Sequence, residues 1–522
     1  MNASMLMAET TFEDILTKID DFIWGWPLII FILCAGVFLS IRLILLQVRK
    51  LPLAFKYMVK NETEGAGQMS AFASLCTELS ATIGTGNIVG VATAICLGGP
   101  GALFWMIIAA FLGMATKFSE CMLAVKYRKV DKDGHILGGP FQYIERGLKE
   151  KFGFNFKWLA IIFAIFGLCV GLFGVGTFSQ INSITSAVGN VFSFAPVVPA
   201  EIPFFGGTSI AVIIAGVILT VLVGAVILGG VKRISKVATA VVPFMAIIYV
   251  LFCLIVLITN VTAIPAAIAD IVVAAFNPTA ITGGLVGSFI VAMQKGIARG
   301  IFSNEAGLGS APIAAANAQT KEPVRQGLVA MLGTFIDTII ICTMTGLTIV
   351  ITGAWQTGLE GVDVTIFAFS EGLPGFLSTV APWILSICLI FFAYTTILGW
   401  DFYSENCLEY LVGRKKPVII GYRCLYLLAV FIGPYMTVSA VWTIADIFNG
   451  LMALPNLIAV VALSGVVVKE TKDYFARLKK AGGKEGFMAP SAERVTEEPL
   501  EEPVQELVEE SYGLKGDSKK NQ

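Results

Sequence analysis

Residues 84–87, Gly-Thr-Gly-Asn, interrupt an otherwise apolar stretch between residues 69 and 97. Glycine permits unusual backbone angles and lets a ligand approach the chain closely. If a helix unwinds here, it frees N–H groups at the start of its second half, where the positive dipole end favours a carboxylate. It also frees carbonyl oxygens at the end of its first half, which suit a small hard cation. Asn87 adds an amide whose oxygen could bind the cation, or whose NH₂ could bind the carboxylate.

Small residues spaced along a membrane helix can also serve only to let two helices pack closely. Here, however, Thr82, Thr85 and Asn87 are interleaved with the glycines in a span that is otherwise apolar. This mixture favours a binding site over simple close packing.

A second polar interruption occupies residues 293–300, Met-Gln-Lys-Gly-Ile-Ala-Arg-Gly, and its polar density is too high for lipid contact. The amide of Gln294 is a candidate partner for substrate, because it can meet either an ammonium or a carboxylate. We expect Lys295, Arg299 and Glu305 toward the cytoplasmic end of this segment, as a structural or gating network of ion pairs. The pattern predicts a second helix break that begins within 293–300, in a polar segment that runs from residue 292 to residue 307.

Composition excludes an ordinary soluble protein. Mean hydropathy is +0.81, and 56% of the 522 residues are hydrophobic while 14% are charged. Eleven stretches are long and apolar enough to cross a hydrocarbon core about 30 Å thick. They are residues 22–41, 69–97, 102–125, 158–188, 208–231, 237–258, 283–302, 327–352, 376–399, 418–435 and 438–468.

The two interruptions have a physical meaning in such a chain. In hydrocarbon an unpaired backbone N–H or C=O costs several kcal/mol, so a helix is broken only where protein or water satisfies the freed groups. Two broken spans far apart in sequence predict a transporter whose binding site lies at the bilayer midplane.

Charge distribution predicts the orientation. Lys and Arg occur in alternate loops, at 49–60, 126–157, 232–236, 321–325 and 414–416, whereas the opposite loops, at 98–101, 189–207, 260–282, 353–375 and 436–437, contain none. By the positive-inside rule the basic loops are cytoplasmic. Eleven spans then place the N-terminus outside and the C-terminus in the cytoplasm of a multi-pass cell-membrane protein.

The spans also suggest an organisation into segments. We expect an external N-terminal segment (1–21) without a removable signal peptide, and an extra helix with its cytoplasmic linker (22–68). Two repeats of five helices follow (69–260 and 261–468), then a charged, disordered cytoplasmic tail (469–522). Five is odd, so the second repeat is inverted relative to the first, and each repeat begins with a broken helix. This arrangement predicts an all-α, leucine-transporter-like 5+5 inverted repeat.

Several stretches resemble the alanine or glycine:cation symporters, known as the sodium:alanine symporter family. They are ATIGTGNIVG (81–90), GGPGALFWMIIAAFLG (98–113), GGPFQYIERGL (138–148), GIFSNEAGLGSAPIAA (300–315) and TTILGW (395–400). The resemblance spans roughly residues 20–470. It departs from the family at Ile107, where a second tryptophan is usual, and at Glu78, where a small residue is expected.

The resemblance implies sodium-coupled uptake of alanine or glycine, and it implies roles for individual residues. It makes residues 84–87 the loop that binds the substrate carboxylate and sodium. Thr395 and Thr396 resemble the hydroxyl ligands for sodium that face this loop in related symporters, although threonine hydroxyls in membrane helices also bond back to their own helix. The candidate sodium ligands are Ser80, Thr82, Ile83, Thr395 and Thr396, and the candidate substrate contacts besides the loop are Gln294, Phe173 and Trp400.

Other function classes fit less well. A channel would need a selectivity filter or a repeated charged ring, and a membrane enzyme would need a nucleophile with a base or a metal cluster. The only histidine, His135, lies in a loop, and the ten cysteines show no CxxC spacing. We therefore expect no enzyme activity, no cofactor and no nucleic-acid partner; the partners are a small neutral amino acid, sodium and the lipid bilayer. Proton coupling through a buried Glu78 is the alternative to sodium.

Overall fold

The computed structural model describes residues 12–60, 62, 64–192, 194–199, 207–276, 289–435 and 438–483, without the side chains of residues 12, 13, 190 and 438–442. The first fourteen helices are α1 (Phe12–Ile23), α2 (Trp26–Arg42), α3 (Leu46–Arg49), α4 (Leu51–Val59), α5 (Ala71–Thr82), α6 (Val89–Gly98), α7 (Gly101–Tyr127), α8 (Pro140–Gln142), α9 (Leu148–Phe152), α10 (Lys157–Phe173), α11 (Phe178–Val191), α12 (Ile210–Ile227), α13 (Gly230–Thr259) and α14 (Ile264–Phe276).

The remaining helices are α15 (Phe289–Asn304), α16 (Ala311–Ala316), α17 (Pro323–Thr334), α18 (Thr343–Ile351), α19 (Val362–Gly372), α20 (Phe376–Val412), α21 (Lys416–Ile432), α22 (Val438–Ala462) and α23 (Ser464–Lys480). A π-helical segment, Phe335–Cys342, joins α17 to α18 in one span, and a second one, Tyr143–Gly147, joins α8 to α9. Two short antiparallel strands, β1 (Lys129–Val130) and β2 (Ile136–Leu137), follow α7.

Within the described ranges, nine helical segments are long and apolar enough to cross a membrane, and the bent pair α5/α6 makes a tenth. The remaining predicted span, 283–302, corresponds to the 16-residue helix α15, and its predicted start lies outside the described residues. The expected all-α, multi-pass architecture is therefore confirmed.

The helix pair α5/α6 is the first predicted break. The side chain of Ser70 caps α5 by accepting a hydrogen bond from the N–H of Ala73 (3.1 Å). The helix ends at Thr82, and α6 leaves the break at an angle of 64° to α5. A 3₁₀ turn, Thr85–Asn87, lies between them. The break therefore falls where the sequence predicts it.

The second break lies at the end of the predicted segment 292–307, and not within 293–300. Helix α15 continues through residues 293–300 and ends at Asn304. The chain then leaves the helical conformation, with positive φ at Glu305 (56°), Gly307 (92°) and Gly309 (85°), before α16 begins.

The glycines that suggested the earlier position have another role. A Cβ at Gly296 would lie 2.2 Å from the carbonyl oxygen of Ala102, and one at Gly300 would lie 3.1 Å from Cγ of Met106. These glycines, four residues apart, let α15 pack closely on α7. The prediction of a break at 293–300 is wrong because glycine occurs both where a helix unwinds and where two helices pack closely, and here the glycines serve close packing.

Each break divides a span into two half-helices, α5 and α6 at the first break and α15 and α16 at the second. The half-helices of one span pack against those of the other in two pairs. Helix α6 packs against α15, and α5 packs against α16. The second pair lies on the side of the molecule where segment 64–69 meets segment 317–321, which we call the basic side. There Met69 and Ala318 form a parallel backbone bridge. Helices α6, α15 and α16 also pack against α7, which runs past both breaks.

The charged C-terminal segment begins as an ordered helix. In α23 the buried hydroxyl of Tyr474 donates to the hydroxyl of Tyr57 (2.8 Å), and Arg477 pairs with Glu322 at the start of α17 (2.8 Å). The expected disorder from residue 469 onward is therefore wrong for 469–480, because one face of this helix is buried. Residues 484–522, and residues 1–11 at the other end, lie outside the described residues.

These contacts predict different outcomes for two truncations. Truncation after Lys480 keeps α23 and should leave the melting temperature of the purified protein unchanged. Truncation after Gly465 removes the buried Tyr474 and should lower it by roughly 5 °C. A thermal-unfolding assay in detergent measures both variants. Equal melting temperatures would contradict a packed role for α23.

Candidate functional site

The first break is closed in on all sides. Ile83, Thr85 and Asn87 are fully buried, and Gly84 has an extended backbone (φ −137°, ψ −149°). A Cβ at Gly84 would lie 2.6 Å from Oγ1 of Thr396 on α20. Only glycine fits here, because the side chain of a neighbouring helix occupies the space that any other residue would need.

Side chains satisfy the backbone groups that the break frees. The N–H of Gly84 donates to Oδ1 of Asn87 (3.0 Å), and the N–H of Thr85 donates to Oε1 of Gln180 on α11 (3.3 Å). The carbonyl oxygen of Ile83 faces Oγ1 of Thr396 at 3.5 Å. Because the unwound turn is held by side chains rather than by its own helix, a ligand could replace these partners one for one.

The second break lies directly against the first. A Cβ at Gly86 would lie 3.3 Å from Cα of Ser303 and 3.3 Å from Cδ1 of Phe302, both in the last turn of α15. Two discontinuous helices therefore meet inside the protein, as the sequence predicts. The second helix makes this contact through its last turn, later in the chain than predicted.

Glu305 begins the second break and connects it to α20. Its fully buried carboxylate accepts one hydrogen bond from Nε1 of Trp400 (3.0 Å) and another from Oγ of Ser310 (2.5 Å). The predicted gating or structural role for Glu305 thus takes the form of a link between the unwound segment and Trp400. Trp400 is itself buried and fixed in orientation beside the two breaks.

A network of hydrogen bonds joins both breaks to the π-helical segment. Asp337 accepts from Nδ2 of Asn87 (2.7 Å), from Oγ of Ser303 (2.8 Å) and from Oγ1 of Thr338 (2.7 Å). The network contributes to holding α6, α15 and the π segment together, and each of these four side chains is buried.

The two adjacent threonines of α20 differ in orientation. Oγ1 of Thr396 bonds back to the carbonyl of Phe392 (3.0 Å) and also faces Ile83 and Gly84. Oγ1 of Thr395 bonds back to the carbonyls of Phe391 (3.1 Å) and Phe392 (3.0 Å) and contacts Sδ of Met245. Only Thr396 of the two is placed at the break. The hydroxyl of Thr395 follows the alternative interpretation, the bond back to its own helix.

Two further candidate sodium ligands also use their hydroxyls within α5. Oγ of Ser80 donates to the carbonyl of Thr77 (2.7 Å), and Oγ1 of Thr82 donates to that of Glu78 (3.3 Å). Because both hydroxyls are engaged within α5, what Ser80 and Thr82 present at the end of this helix is their backbone carbonyls.

Three predicted residues lie away from the meeting point of the breaks. Nε2 of Gln294 donates to the carbonyl of Trp24 (3.4 Å), and Arg299 pairs with Asp446 on α22 (2.9 Å). Phe173 is 40% exposed, with its ring 6.1 Å from that of Phe178.

Gln294 contacts Trp24 and Phe173 packs on Phe178, so neither is seen at the first break, and their assignment to the substrate site stays a prediction. Gln294, Lys295 and Arg299 lie on α15 before its last turn, on the side of the breaks away from the basic side, although the sequence predicts Lys295 and Arg299 toward the cytoplasmic end of the segment. They are displaced because the second break comes later in the chain than predicted. Arg299 does form an ion pair, as expected of it, and its partner is Asp446.

The sequence alone does not place Gln180, Ser303 or Asp337 at the first break. Each is a buried polar residue in a membrane span, and such residues are costly unless they serve structure or function. The cost of placing a polar residue in a membrane span was the signal that the sequence offered for these three residues. It could not show which of the buried polar residues converge on the break.

A buried ion pair lies beside the site on the basic side. Nζ of Lys117 lies 3.5 Å from Oε1 of Glu78, and both side chains are fully buried. A Cβ at Gly333 would lie 2.4 Å from the same oxygen, so the glycine makes room for Glu78. The departure from the family pattern at Glu78 is therefore accommodated by a partner of opposite charge.

Two broken helices that meet at a buried polar centre, within a multi-pass helical bundle, define a transporter of the leucine-transporter-like class. A solved structure shows the same fold: MhsT in complex with L-phenylalanine matches with a TM-score of 0.52 at 12% identity, over 78% of this chain and 98% of that chain.

Sequence comparison identifies the family. Residues 9–489 match the model of the sodium:alanine symporter family, and this chain belongs to that family. An uncharacterized transporter of Haemophilus influenzae is 52% identical over 90% of this chain and 97% of its own length. The sodium/alanine symporter AgcS of Methanococcus maripaludis is 44% identical over 89% of this chain and 97% of its own length.

The packing around the first break predicts the effect of two alanine substitutions. Gly84→Ala places a methyl group 2.6 Å from Oγ1 of Thr396 and should abolish amino-acid uptake. Gly90→Ala is the matched control, because no atom lies within 4 Å of its Cβ position and alanine favours a helix. Uptake at equal membrane expression measures both. Equal activity of the two variants would contradict the tight contact at Gly84.

Proposed function

We propose that this protein is a sodium-coupled symporter that carries a small neutral amino acid, alanine or glycine, into the cell by alternating access. The observation that carries the proposal is the contact of Thr396 with the first break, where a hydroxyl of α20 faces the carbonyl of Ile83 at 3.5 Å. The proposal places the protein in the cell membrane, with the basic side in the cytoplasm and the N-terminus outside.

The end of α5 supplies the oxygen atoms that a cation requires. Carbonyl groups at a helix C-terminus lack their intrahelical partners and carry the negative end of the helix dipole. Sodium is a hard cation, so carbonyl and hydroxyl oxygens are its expected ligands. The carbonyls near Ser80 and Ile83, with Oγ1 of Thr396, form a ligand set of this type.

The start of the next half-helix supplies donors for a carboxylate. The N–H groups of Thr85 and Gly86 precede α6, at the positive end of its dipole. The N–H of Thr85 now donates to Gln180, and a substrate carboxylate could take the place of that amide oxygen. An amino acid and a cation would then occupy adjacent ends of the same break, which couples their binding.

The close packing supports a small substrate. Gly84 and Gly86 both have neighbouring atoms within 3.3 Å of their Cβ positions, and the buried Trp400 closes the site on the α20 side. A large side chain would require these contacts to open. The relation to AgcS, which is named as a sodium/alanine symporter, supports alanine as the first substrate to test.

The proposal is tested in proteoliposomes that contain the purified protein. An inward sodium gradient should drive accumulation of labelled alanine, and unlabelled alanine or glycine should compete more strongly than leucine. Preloaded alanine should accelerate uptake of the label, which separates a carrier from a channel. Uptake driven by a pH gradient without sodium, and lost in Glu78→Gln, would replace sodium by a proton and overturn the proposal.

Adjacent threonines provide a test of the cation site. Thr396→Ala removes a hydroxyl that faces the break and should raise the half-saturating sodium concentration about tenfold, with a smaller effect on alanine affinity at saturating sodium. Thr395→Ala removes a hydroxyl that bonds to its own helix and should change neither value by more than about twofold. Sodium titrations of alanine uptake measure both variants. A larger sodium shift in Thr395→Ala would contradict the assignment.

A further inference from the structure

Asn87 is held in one orientation by groups on two different elements. Its Nδ2 donates to Oδ1 of Asp337 (2.7 Å) and lies 3.2 Å from the backbone carbonyl of the same residue. Its Oδ1 accepts from the N–H of Gly84 (3.0 Å). The amide thus bridges the first break and the π-helical segment Phe335–Cys342.

Chemistry fixes which end of the amide faces which neighbour. A backbone carbonyl can only accept a hydrogen bond, so the NH₂ group must face Asp337. A backbone N–H can only donate, so the oxygen must face Gly84. A flipped amide would place donor against donor at Gly84 and acceptor against acceptor at the carbonyl of Asp337. This assignment does not depend on the protonation state of the Asp337 side chain.

Asp337 is itself fixed in position. Its Oδ2 accepts from Oγ of Ser303 at the end of α15 (2.8 Å) and from Oγ1 of Thr338 (2.7 Å). Oγ1 of Thr338 in turn accepts from Nδ2 of Asn304 (3.1 Å). The residue lies in a π-helical segment, a local distortion that is frequent at functional sites. The carboxyl group therefore links the last turn of α15 to the first break.

We propose that Asp337 is a positioning residue, which keeps the amide oxygen of Asn87 turned toward the break and its NH₂ turned away. Both N–H bonds of Asn87 point to the Asp337 side, so none remains for a substrate carboxylate. Asn87 then serves the positively charged ligand through its oxygen. This inference rests on the proposed cation coupling, and it chooses between the two roles that the sequence left open for Asn87.

The inference also gives the second break a part in cation binding. Ser303 and Asn304 contact the Asp337–Thr338 pair, so movement of the end of α15 would shift Asp337, and with it Asn87. A change at the second break would thereby reach the cation without any direct contact between α15 and the ion.

The test uses the full-length protein and measures two quantities, the half-saturating sodium concentration and the alanine affinity at saturating sodium. Asp337→Asn retains the shape but loses the charge-assisted hydrogen bond. It should raise the half-saturating sodium concentration about tenfold and leave alanine affinity within about twofold. Thr338→Val, which removes one of two hydroxyl donors to Asp337, should also raise the half-saturating sodium concentration, but by less. Thr348→Val, in the same span but with no hydrogen-bond partner for its Oγ1 among the described residues, is the control and should shift neither value.

A double-mutant cycle separates positioning from a general structural role. If Asp337 acts through Asn87, then Asp337→Asn should shift sodium-dependent thermal stabilisation in the wild-type background and not in the Asn87→Ser background. Equal shifts in both backgrounds, or a loss of alanine affinity without a sodium shift, would overturn the inference and leave the proposed function intact. A wild-type protein with no sodium dependence would overturn the proposed function as well.

Discussion

The structure depends on one constraint: inside a membrane, every backbone N–H and C=O of a broken helix must find a partner within the protein. The first break meets this constraint through its own Asn87 and through side chains from two other helices, namely Gln180 on α11 and Thr396 on α20. Unlike the backbone hydrogen bonds of a continuous helix, these side-chain partners could be replaced by a bound ion or amino acid. The same constraint that makes a break costly thus makes it a candidate binding site.

Backbone and side-chain contacts join the two half-helices on the basic side at their outer ends. The guanidinium of Arg128, just after α7, donates to the carbonyls of Ala66, Ala316, Ala318 and Thr320, at distances of 2.7–2.9 Å. Together with the Met69–Ala318 bridge, it ties the start of α5 to the end of α16. The two half-helices are therefore linked at the ends farthest from the breaks.

Sequence predicted the parts of this arrangement that depend on residue type, and not those that depend on packing. The first break was predictable because glycines, threonines and Asn87 occur together in a span that is otherwise apolar, and this combination indicates a binding site. The second break was misplaced because Gly296 and Gly300, which resemble a break in the sequence, serve close packing on α7. The break itself begins at Glu305, which has a positive φ angle (56°) although it is not a glycine. Thr395 and Thr396 could not be separated without the neighbours of α20, since adjacent helix positions point in different directions.

The central claim is that the two breaks, at residues 83–87 and 305–310, form one site for the amino acid and its cation. A structure determined at side-chain resolution with alanine and sodium bound tests it most directly. We predict alanine density between Gly84–Gly86 and the indole of Trp400, with an ion within about 2.5 Å of Oγ1 of Thr396 and the carbonyl of Ile83. Alanine bound elsewhere, for example beside Gln294 and Trp24, with the first break unchanged, would contradict the account.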